Sequence, residues 1–193
     1  MATLLFSTTL KANDFVLAND NILNKPLVEK ISSLGEEMLT KSGIFVGIVA
    51  LDTLNGKTLK DSTLSYTTNL KKPYIILSLV KKEHLVDIFE SDKSLLKYFD
   101  KEQVLSIVPG RGTIIPILAN TKKDSEPSYD AALLNGYADI VEQIAKNKNI
   151  ELKNAIGNSN KNTLNIFRTI FYAGVLLVLI TFLYYKFRKK YAK

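Results

Sequence analysis

The fold is decided by the stretch Ile44-Phe-Val-Gly-Ile-Val-Ala-Leu51. It is rich in β-branched side chains and does not alternate with polar residues. A strand of this kind is covered on both faces, which indicates a sheet that lies between helices. The turn sequence Asp52-Thr-Leu-Asn-Gly56 follows directly and ends the strand.

A helix is predicted immediately before this strand. Asn24 can cap its first turn, where Pro26 is tolerated because the backbone donors there have no helical partner. Ser42-Gly43 supplies a left-handed stop. Between these ends, four apolar residues recur at helical spacing: Leu27, Ile31, Leu34 and Met38. The polar residues 13–24 before the helix are expected to form an extended lead-in packed against the domain.

Two more strands are predicted after the first one. Tyr74-Ile-Ile-Leu-Ser-Leu-Val80 is again continuously apolar, and residues 84–90 form a strand that pairs with it through the short link Lys81-Lys82-Glu83. Residues 57–66 read as a connecting helix with three inward side chains, Leu59, Leu64 and Tyr66. This order predicts an α/β fold, a three-layer α/β/α sandwich with a mixed sheet.

The rest of the domain is predicted to be mainly helical. Residues 102–108 read as a helix, whereas residues 111–119 read as an edge segment or irregular turn because they contain Pro116. Ser128 is expected to cap the last helix, whose inward face consists of Ala132, Leu133, Tyr137, Ile140, Val141 and Ile144. Residues 147–165 are rich in Asn, Lys, Gly and Ser, which predicts a solvated linker.

An apolar stretch near the C-terminus predicts one transmembrane helix over residues 166–187. Residues 169–185 carry no charge, and with their apolar neighbours they can cross a bilayer of about 30 Å. Tyr172 lies near one end and Tyr184 near the other, at the depth that aromatic residues prefer. The alternative is a buried helix of a soluble core.

The charge distribution predicts the orientation of that helix. Five of the seven net positive charges lie in the tail, on Lys186, Arg188, Lys189, Lys190 and Lys193. The positive-inside rule therefore places the tail, residues 188–193, in the cytoplasm and the domain on the outer face of the membrane. The remaining net charge of +2 gives no reason to expect nucleic-acid binding, and the basic tail can instead meet anionic lipid.

Residues 1–12 resemble the second half of a secretory signal peptide. An apolar run ends in small and polar residues, and Ala12 occupies the usual place before cleavage. The basic first region of such a signal is missing, so the true start is expected upstream. The alternative is a buried N-terminal strand over residues 3–9. The exported domain is then expected to cover residues 13–146.

The composition narrows the possible chemistry. The chain has no cysteine, so it has neither a disulfide framework nor a thiolate site. His84 is the sole histidine, which excludes a His-based metal cage, and it is expected at the surface of a hairpin corner. Gly110-Arg-Gly112 is expected to be a turn rather than an anion-binding loop.

A carboxylate site for Ca²⁺ or Mg²⁺ is the remaining candidate. Ligands of open α/β sheets collect beyond the carboxyl ends of the strands, where Asp52 and Asn55 lie and Asp20 can fold near them. Oxygen ligands of this type suit both cations. Ordinary turn chemistry explains the same residues, and no other cofactor is expected.

Several motifs resemble the TPM domain family over roughly residues 16–145. Gly43-Ile-Phe-Val-Gly-Ile-Val-Ala-Leu-Asp-Thr-Leu-Asn-Gly56 is similar to the family's glycine, first strand and Ser/Thr-Leu-x-Gly turn. Ile114-Ile-Pro116 and Tyr129-Asp-Ala-Ala-Leu-Leu-Asn-Gly136 are similar to its closing part. The resemblance implies an exported α/β/α domain, often tethered by a single membrane helix.

The sequence also departs from that family. Ala18 stands where the family usually has an acid, and Asp20 is displaced from that position. Residues 68–73 and 87–92 lack the family's Asn-Gly, Arg and glycine-rich turn, and the chain has no Trp. Some members are associated with divalent-metal binding and phosphatase activity, but neither property carries over residue by residue.

These observations favour a non-enzymatic accessory or assembly factor for a membrane protein complex, presented in the periplasm by a single-pass anchor. An exported metal-dependent phosphatase is the alternative. In a third hypothesis the anchor helix itself binds the partner, because Ala173-Gly174 permits close approach of another helix.

Overall fold

The computed structural model describes residues 15–119, 128–156, 172–181 and 184. The chain divides into two compact units, residues 1–157 and 158–193. Within the described part of the first unit, four strands form one sheet: β1 (Val16–Asn19), β2 (Phe45–Leu51), β3 (Tyr74–Val80) and β4 (Leu85–Glu90). Strands β1, β2 and β3 are parallel and β4 is antiparallel to β3, which confirms the predicted mixed sheet of an α/β fold.

The described helices of this unit are α1 (Lys25–Ser42), α2 (Leu59–Ser65), α3 (Lys101–Val104), α4 (Ile115–Ala119) and α5 (Tyr129–Asn147). A 3₁₀ turn at Lys93–Lys97 precedes α3. Helix α1 begins and ends where its sequence predicts. Asn24 Oδ1 accepts a hydrogen bond from Leu27 N at 3.1 Å, and Gly43 ends the helix with φ 72°.

Helices cover both faces of the sheet. The hydroxyl groups of Ser78 in β3 and Thr63 in α2 are hydrogen-bonded to each other, with their oxygens 2.8 Å apart. The neighbouring Leu77 side chain lies against α5, where a Cβ on Gly136 would be 3.3 Å from Leu77 Cδ2. Because adjacent strand residues point to opposite faces, α2 and α5 lie on opposite sides of β3. All seven residues of β2 and of β3 are buried between these helices.

Tyr137 joins α5 to the sheet. Its side chain is completely buried, and its Oη donates a hydrogen bond to the Val46 carbonyl at 2.9 Å. Burial raises the pKa of Tyr137, so the phenol stays a neutral donor.

Replacing Tyr137 with phenylalanine is expected to lower the free energy of unfolding by about 1–3 kcal/mol. The substitution keeps the ring but leaves the buried Val46 carbonyl without its donor. Denaturant unfolding of the two proteins measures the difference. Tyr66→Phe, at a side chain that is 42% exposed, is the matched control, and an equal effect of both substitutions would contradict the prediction.

The extended lead-in expected within residues 13–24 is confirmed at β1, which pairs with β2 as a parallel edge strand. Helix α2 differs from its prediction. Helix α2 buries Ser62 and Thr63, whereas Leu64 and Tyr66, predicted to face inward, are 37% and 42% exposed. The polar pair can face inward because hydrogen bonds satisfy the Thr63 hydroxyl, which donates to Leu59 O at 2.7 Å and also bonds Ser78.

Helices α3 and α4 differ from their predictions as well. The helix expected over residues 102–108 has four residues, because the backbone donors of Thr113 and Ile114 return to the Val104 carbonyl at 3.2 and 3.3 Å. The segment 111–119, expected to be irregular, ends in α4. Pro116 lies in the first turn of that helix, where a missing N–H costs no hydrogen bond.

Residues 148–156 pack against the domain. The prediction of a solvated linker over residues 147–165 is therefore wrong for residues 148–156. Glu37 of α1 accepts hydrogen bonds from Lys153 N at 2.7 Å and Asn154 N at 2.9 Å. Lys41 Nζ bonds Glu37 Oε1 at 2.7 Å and donates to Glu151 O at 2.6 Å. Three apolar side chains of the segment contact the core: Ile150, Leu152 and Ile156.

Glu37→Gln is expected to destabilise the protein by about 1–2 kcal/mol at pH 7, because charge-assisted hydrogen bonds are lost. Lys41, followed by the backbone N–H of Lys153, lowers the pKa of Glu37 from 4.5 to about 2. A pKa below that of the unfolded chain stabilises the folded state above about pH 4.5, and this stabilisation is lost as the pH falls toward 2. Unfolding curves at several pH values measure the effect. Glu36→Gln, at an exposed neighbour, is the control, and a difference between Glu37→Gln and wild type that did not change with pH would contradict the assignment.

The second unit is described at residues 172–181, which are helical, and at residue 184. Among the described residues, no helix has both the length and the apolar character needed to cross a membrane. The span predicted over 166–187 extends into residues outside the described part. The predicted signal peptide (1–12), the rest of the linker (157–165) and the basic tail (188–193) also lie outside it.

Candidate functional site

The carboxyl ends of the three parallel strands bring polar residues together at one edge of the sheet. Asp20 follows β1, Asp52 follows β2, and the turn Lys81-Lys82-Glu83-His84 follows β3. This edge is where open α/β sheets bind ligands. It is therefore the candidate functional site of the first unit.

Asp20 and Asp52 are neighbours, as the sequence predicts. Asp20 Oδ2 accepts a hydrogen bond from the backbone N–H of Asp52 at 2.9 Å. The backbone N–H of Asp20 donates to Ala50 O at 2.9 Å, which continues the pairing of β1 with β2 beyond the strand end. The Asp20 carboxylate thus satisfies the first backbone donor beyond β2.

Lys82 forms an ion pair with Asp52. Its Nζ lies 2.6 Å from Asp52 Oδ2, and its backbone N–H donates to Asp52 O at 2.9 Å. The hydrogen bond that Lys82 Nζ donates to the Asp52 carboxylate raises the pKa of Lys82. Both side chains are substantially exposed, so the pair adds little to stability. A cation that bound Asp52 would have to displace this ammonium group.

Glu83 holds the turn that follows β2. Its Oε1 accepts hydrogen bonds from Leu54 N at 3.0 Å and from Thr53 Oγ1 at 2.8 Å. The bond from the Leu54 backbone, followed by that from Thr53, lowers the pKa of Glu83 and keeps it ionised. Asn55 lies in the same turn with φ 50°, a conformation that asparagine tolerates.

The predicted metal ligands are therefore only partly assembled. Asp20 Oδ2 bonds the backbone N–H of Asp52, whereas Asn55 makes no hydrogen bond to either residue in the described part of the chain. Across residues 15–119, 128–156 and the described part of the second unit, no three acidic, histidine or cysteine side chains are grouped to hold a metal ion. Binding of Ca²⁺ or Mg²⁺ by Asp20, Asp52 and Asn55 remains a prediction.

Sequence reasoning missed the roles of Lys82 and Glu83. It treated them as a polar link between two strands, although their position at the carboxyl end of β3 was a usable signal.

The turn in which they lie also contains His84, which is exposed and has φ 51°. Gly110-Arg-Gly112 lies in the turn between α3 and α4, where the Gly112 N–H donates to Val108 O at 2.9 Å.

A second polar group, not predicted, lies inside the fold around Asp139 of α5. Asp139 is 4% exposed, and its Oδ2 accepts a hydrogen bond from the Thr113 hydroxyl. Gln143 Nε2 donates to Asp139 Oδ1 at 3.1 Å and to Gln103 Oε1 at 2.7 Å. Gln103 Nε2 in turn donates to Arg111 O at 2.6 Å. This network joins α3 and α5 to the turn before α4.

Comparison with known proteins bears on the fold alone. No protein-family model matches the sequence, and no curated protein matches it. The N-terminal domain of a protein from P. gingivalis, solved by NMR in solution, aligns with a TM-score of 0.56 at 16% identity, over 70% of this chain and 84% of that chain. The BA42 protein of the psychrophilic bacterium Bizionia argentinensis aligns with a TM-score of 0.46 at 13% identity, over 72% and 96% of the two chains. The first similarity shows a shared α/β fold.

Proposed function

We propose that this chain is a single-pass membrane protein that presents an α/β domain of the TPM type in the periplasm. It acts there as a non-enzymatic accessory or assembly factor for a membrane protein complex. The observation that carries the proposal is the helix over residues 172–181. Six consecutive apolar side chains on it, from Val175 to Ile180, are 50–68% exposed.

That pattern differs from a helix at the surface of a soluble domain. Consecutive residues of an α-helix point about 100° apart, so six exposed apolar residues in a row leave no polar face. Lipid tails or the apolar surface of another membrane helix are suitable surroundings for such a helix. The uncharged sequence on both sides, over residues 169–185, supports the same interpretation.

Two features support the accessory role and the TPM type. At the carboxyl edge of the sheet, Asp20, Asp52 and Glu83 bond backbone N–H groups and Lys82 within the fold, which is a structural use of these carboxylates. The order of strands and helices, with the turn over residues 52–56 after the buried strand, agrees with the family that the sequence resembles.

Membrane extraction and a topology reporter test the proposal. The full-length chain is expected to stay with the membrane in alkaline carbonate and to dissolve in detergent. A reporter fused after Lys193 and active only beyond the inner membrane is expected to be inactive. Release of the chain without detergent, or an active reporter, would overturn the proposed topology.

Affinity purification in mild detergent, read by mass spectrometry, tests the accessory role. We expect a stoichiometric integral membrane partner. Exchange of residues 166–187 for an unrelated transmembrane segment distinguishes the two possible binding elements. Retention of the partner assigns binding to the α/β domain, whereas its loss assigns binding to the anchor helix and Ala173-Gly174.

The second candidate function is an exported metal-dependent phosphatase, favoured by the contact between Asp20 and Asp52 at the ligand-binding edge. Phosphatase activity of the full-length chain is measured with Mg²⁺, with Ca²⁺ and with a chelator. Asp52→Ala is compared with Asp61→Ala, which removes an exposed acid in the first turn of α2. Metal-dependent turnover that only Asp52→Ala abolishes would replace the accessory role with the enzymatic one.

A further inference from the structure

A cavity of about 260 Å³ lies at the carboxyl end of β3, between the β3–β4 turn, α4 and the start of α5. Most of its lining is apolar: Leu79, Val80, Leu85, Val86, Ile115, Leu118 and Ala119. Two lining residues, His84 and Tyr129, carry polar groups. An apolar cavity with a few convergent polar groups is the usual form of a small-molecule site.

The polar groups are concentrated in one part of this lining. His84 Nδ1 and Tyr129 Oη lie 3.4 Å apart. Lys81 does not line the cavity, but its Nζ lies 5.7 Å from the centre of the Tyr129 ring, so a positive charge lies beside this lining residue. The cavity therefore combines an apolar body with one hydrogen-bonding end that has a positive charge close to it.

The backbone of His84 gives a second, independent indication. Its φ of 51° is a left-handed conformation that glycine adopts freely and that only a few per cent of other residues adopt. Backbone strain of this kind is found preferentially at functional sites. An imidazole is thus held at the cavity in a turn position that glycine would fill without strain.

We propose that this cavity binds a small monocarboxylate with an aryl or short alkyl body. The apolar body is buried among the aliphatic side chains, and the carboxylate receives hydrogen bonds and charge from His84, Tyr129 and Lys81. The volume suits a compact ligand rather than a long acyl chain. The lining of the cavity includes none of Asp20, Asp52 and Asn55, and the proposal does not depend on the membrane role.

The proposal is tested by a ligand-observed NMR titration. It measures the binding of 4-phenylbutanoate to the full-length chain in amphipol. The neutral amide of the same body, 4-phenylbutanamide, is titrated in parallel to separate the contribution of the carboxylate. We expect the carboxylate to bind about tenfold more tightly than the amide, because its hydrogen bonds are charge-assisted and therefore stronger.

Three variants locate the binding. Ala119→Trp places a bulky ring at an exposed lining position and is expected to abolish binding of both ligands. Lys81→Met keeps the apolar stem and is expected to weaken carboxylate binding about tenfold without changing amide binding. His84→Gly removes the backbone strain at this position and is expected to weaken carboxylate binding severalfold. The free energy of unfolding is expected to stay the same or to rise.

Asn149→Gly is the matched control for His84→Gly. Asn149 also has a positive φ, 54°, and lies in the turn after α5. It is expected to leave the affinity for both ligands unchanged. Equal affinity for carboxylate and amide, unchanged binding in Ala119→Trp, or unchanged carboxylate binding in both Lys81→Met and His84→Gly would overturn the proposal.

Discussion

Gly35→Ala is expected to lower the free energy of unfolding by about 3 kcal/mol, although glycine-to-alanine changes normally stabilise a helix by up to about 1 kcal/mol. A Cβ at this position of α1 would lie 2.5 Å from Phe15 Cδ1 and 2.5 Å from Tyr137 Oη. Both side chains are buried, and the Tyr137 hydroxyl is held by the Val46 carbonyl. Neither can move without disturbing the packing of α1 on α5.

Denaturant unfolding of the full-length chain measures this effect. Ser33→Ala, at an exposed position of the same helix, is the control and is expected to be neutral or slightly stabilising. The double substitution of Gly35→Ala with Tyr137→Phe is expected to cost less than the sum of the two, because the phenylalanine removes one of the clashing atoms. A stabilising Gly35→Ala would show that the helices are not in this close contact.

Asp139→Ala is the second substitution with a large expected effect, a loss of about 3 kcal/mol in the free energy of unfolding. The substitution leaves the buried Thr113 hydroxyl and the amide of Gln143 without their shared acceptor. Buried polar groups that lose a partner cost more than the hydrogen bond itself contributes. The loss is expected to loosen α3 and the turn before α4 from α5.

Two comparisons isolate the origin of this effect. Asp139→Asn keeps one acceptor oxygen, so it is expected to lower the free energy of unfolding by less than Asp139→Ala does. Asn135→Ala, at an exposed position of the same helix, is expected to change stability by less than about 0.5 kcal/mol. Equal costs for Asp139→Ala and Asn135→Ala would contradict the role of the network.

The parts of the fold that depend on local pattern could be predicted from the sequence. Strands β2 and β3, the Asn24 and Gly43 ends of α1 and the inward face of α5 each follow from the spacing of a few neighbouring residues. The sequence indicated only that the segment of β1 is extended, because four residues are too few to show a period, and pairing with β2 makes them a strand. The inward Thr63 of α2 likewise depends on a hydroxyl partner 15 residues away, Ser78.

The same distinction applies to the candidate site. The contact between Asp20 and Asp52 could be expected because parallel strands end at one edge of the sheet. The position of Lys82 and Glu83 after β3 indicates the same edge, but it does not indicate that their side chains bond Asp52 and the turn after β2. The polar network of Asp139 could not be predicted either, because an acidic residue among apolar helix positions does not indicate its hydrogen-bond partners.

The contacts of Glu37 and Lys41 with residues 151–154 also lie between α5 and the rest of the chain. A force that pulled on the chain beyond residue 156 would therefore act first on two N–H groups and one carbonyl bonded to the C-terminal half of α1. We expect these bonds to break before the last turn of α5 unfolds.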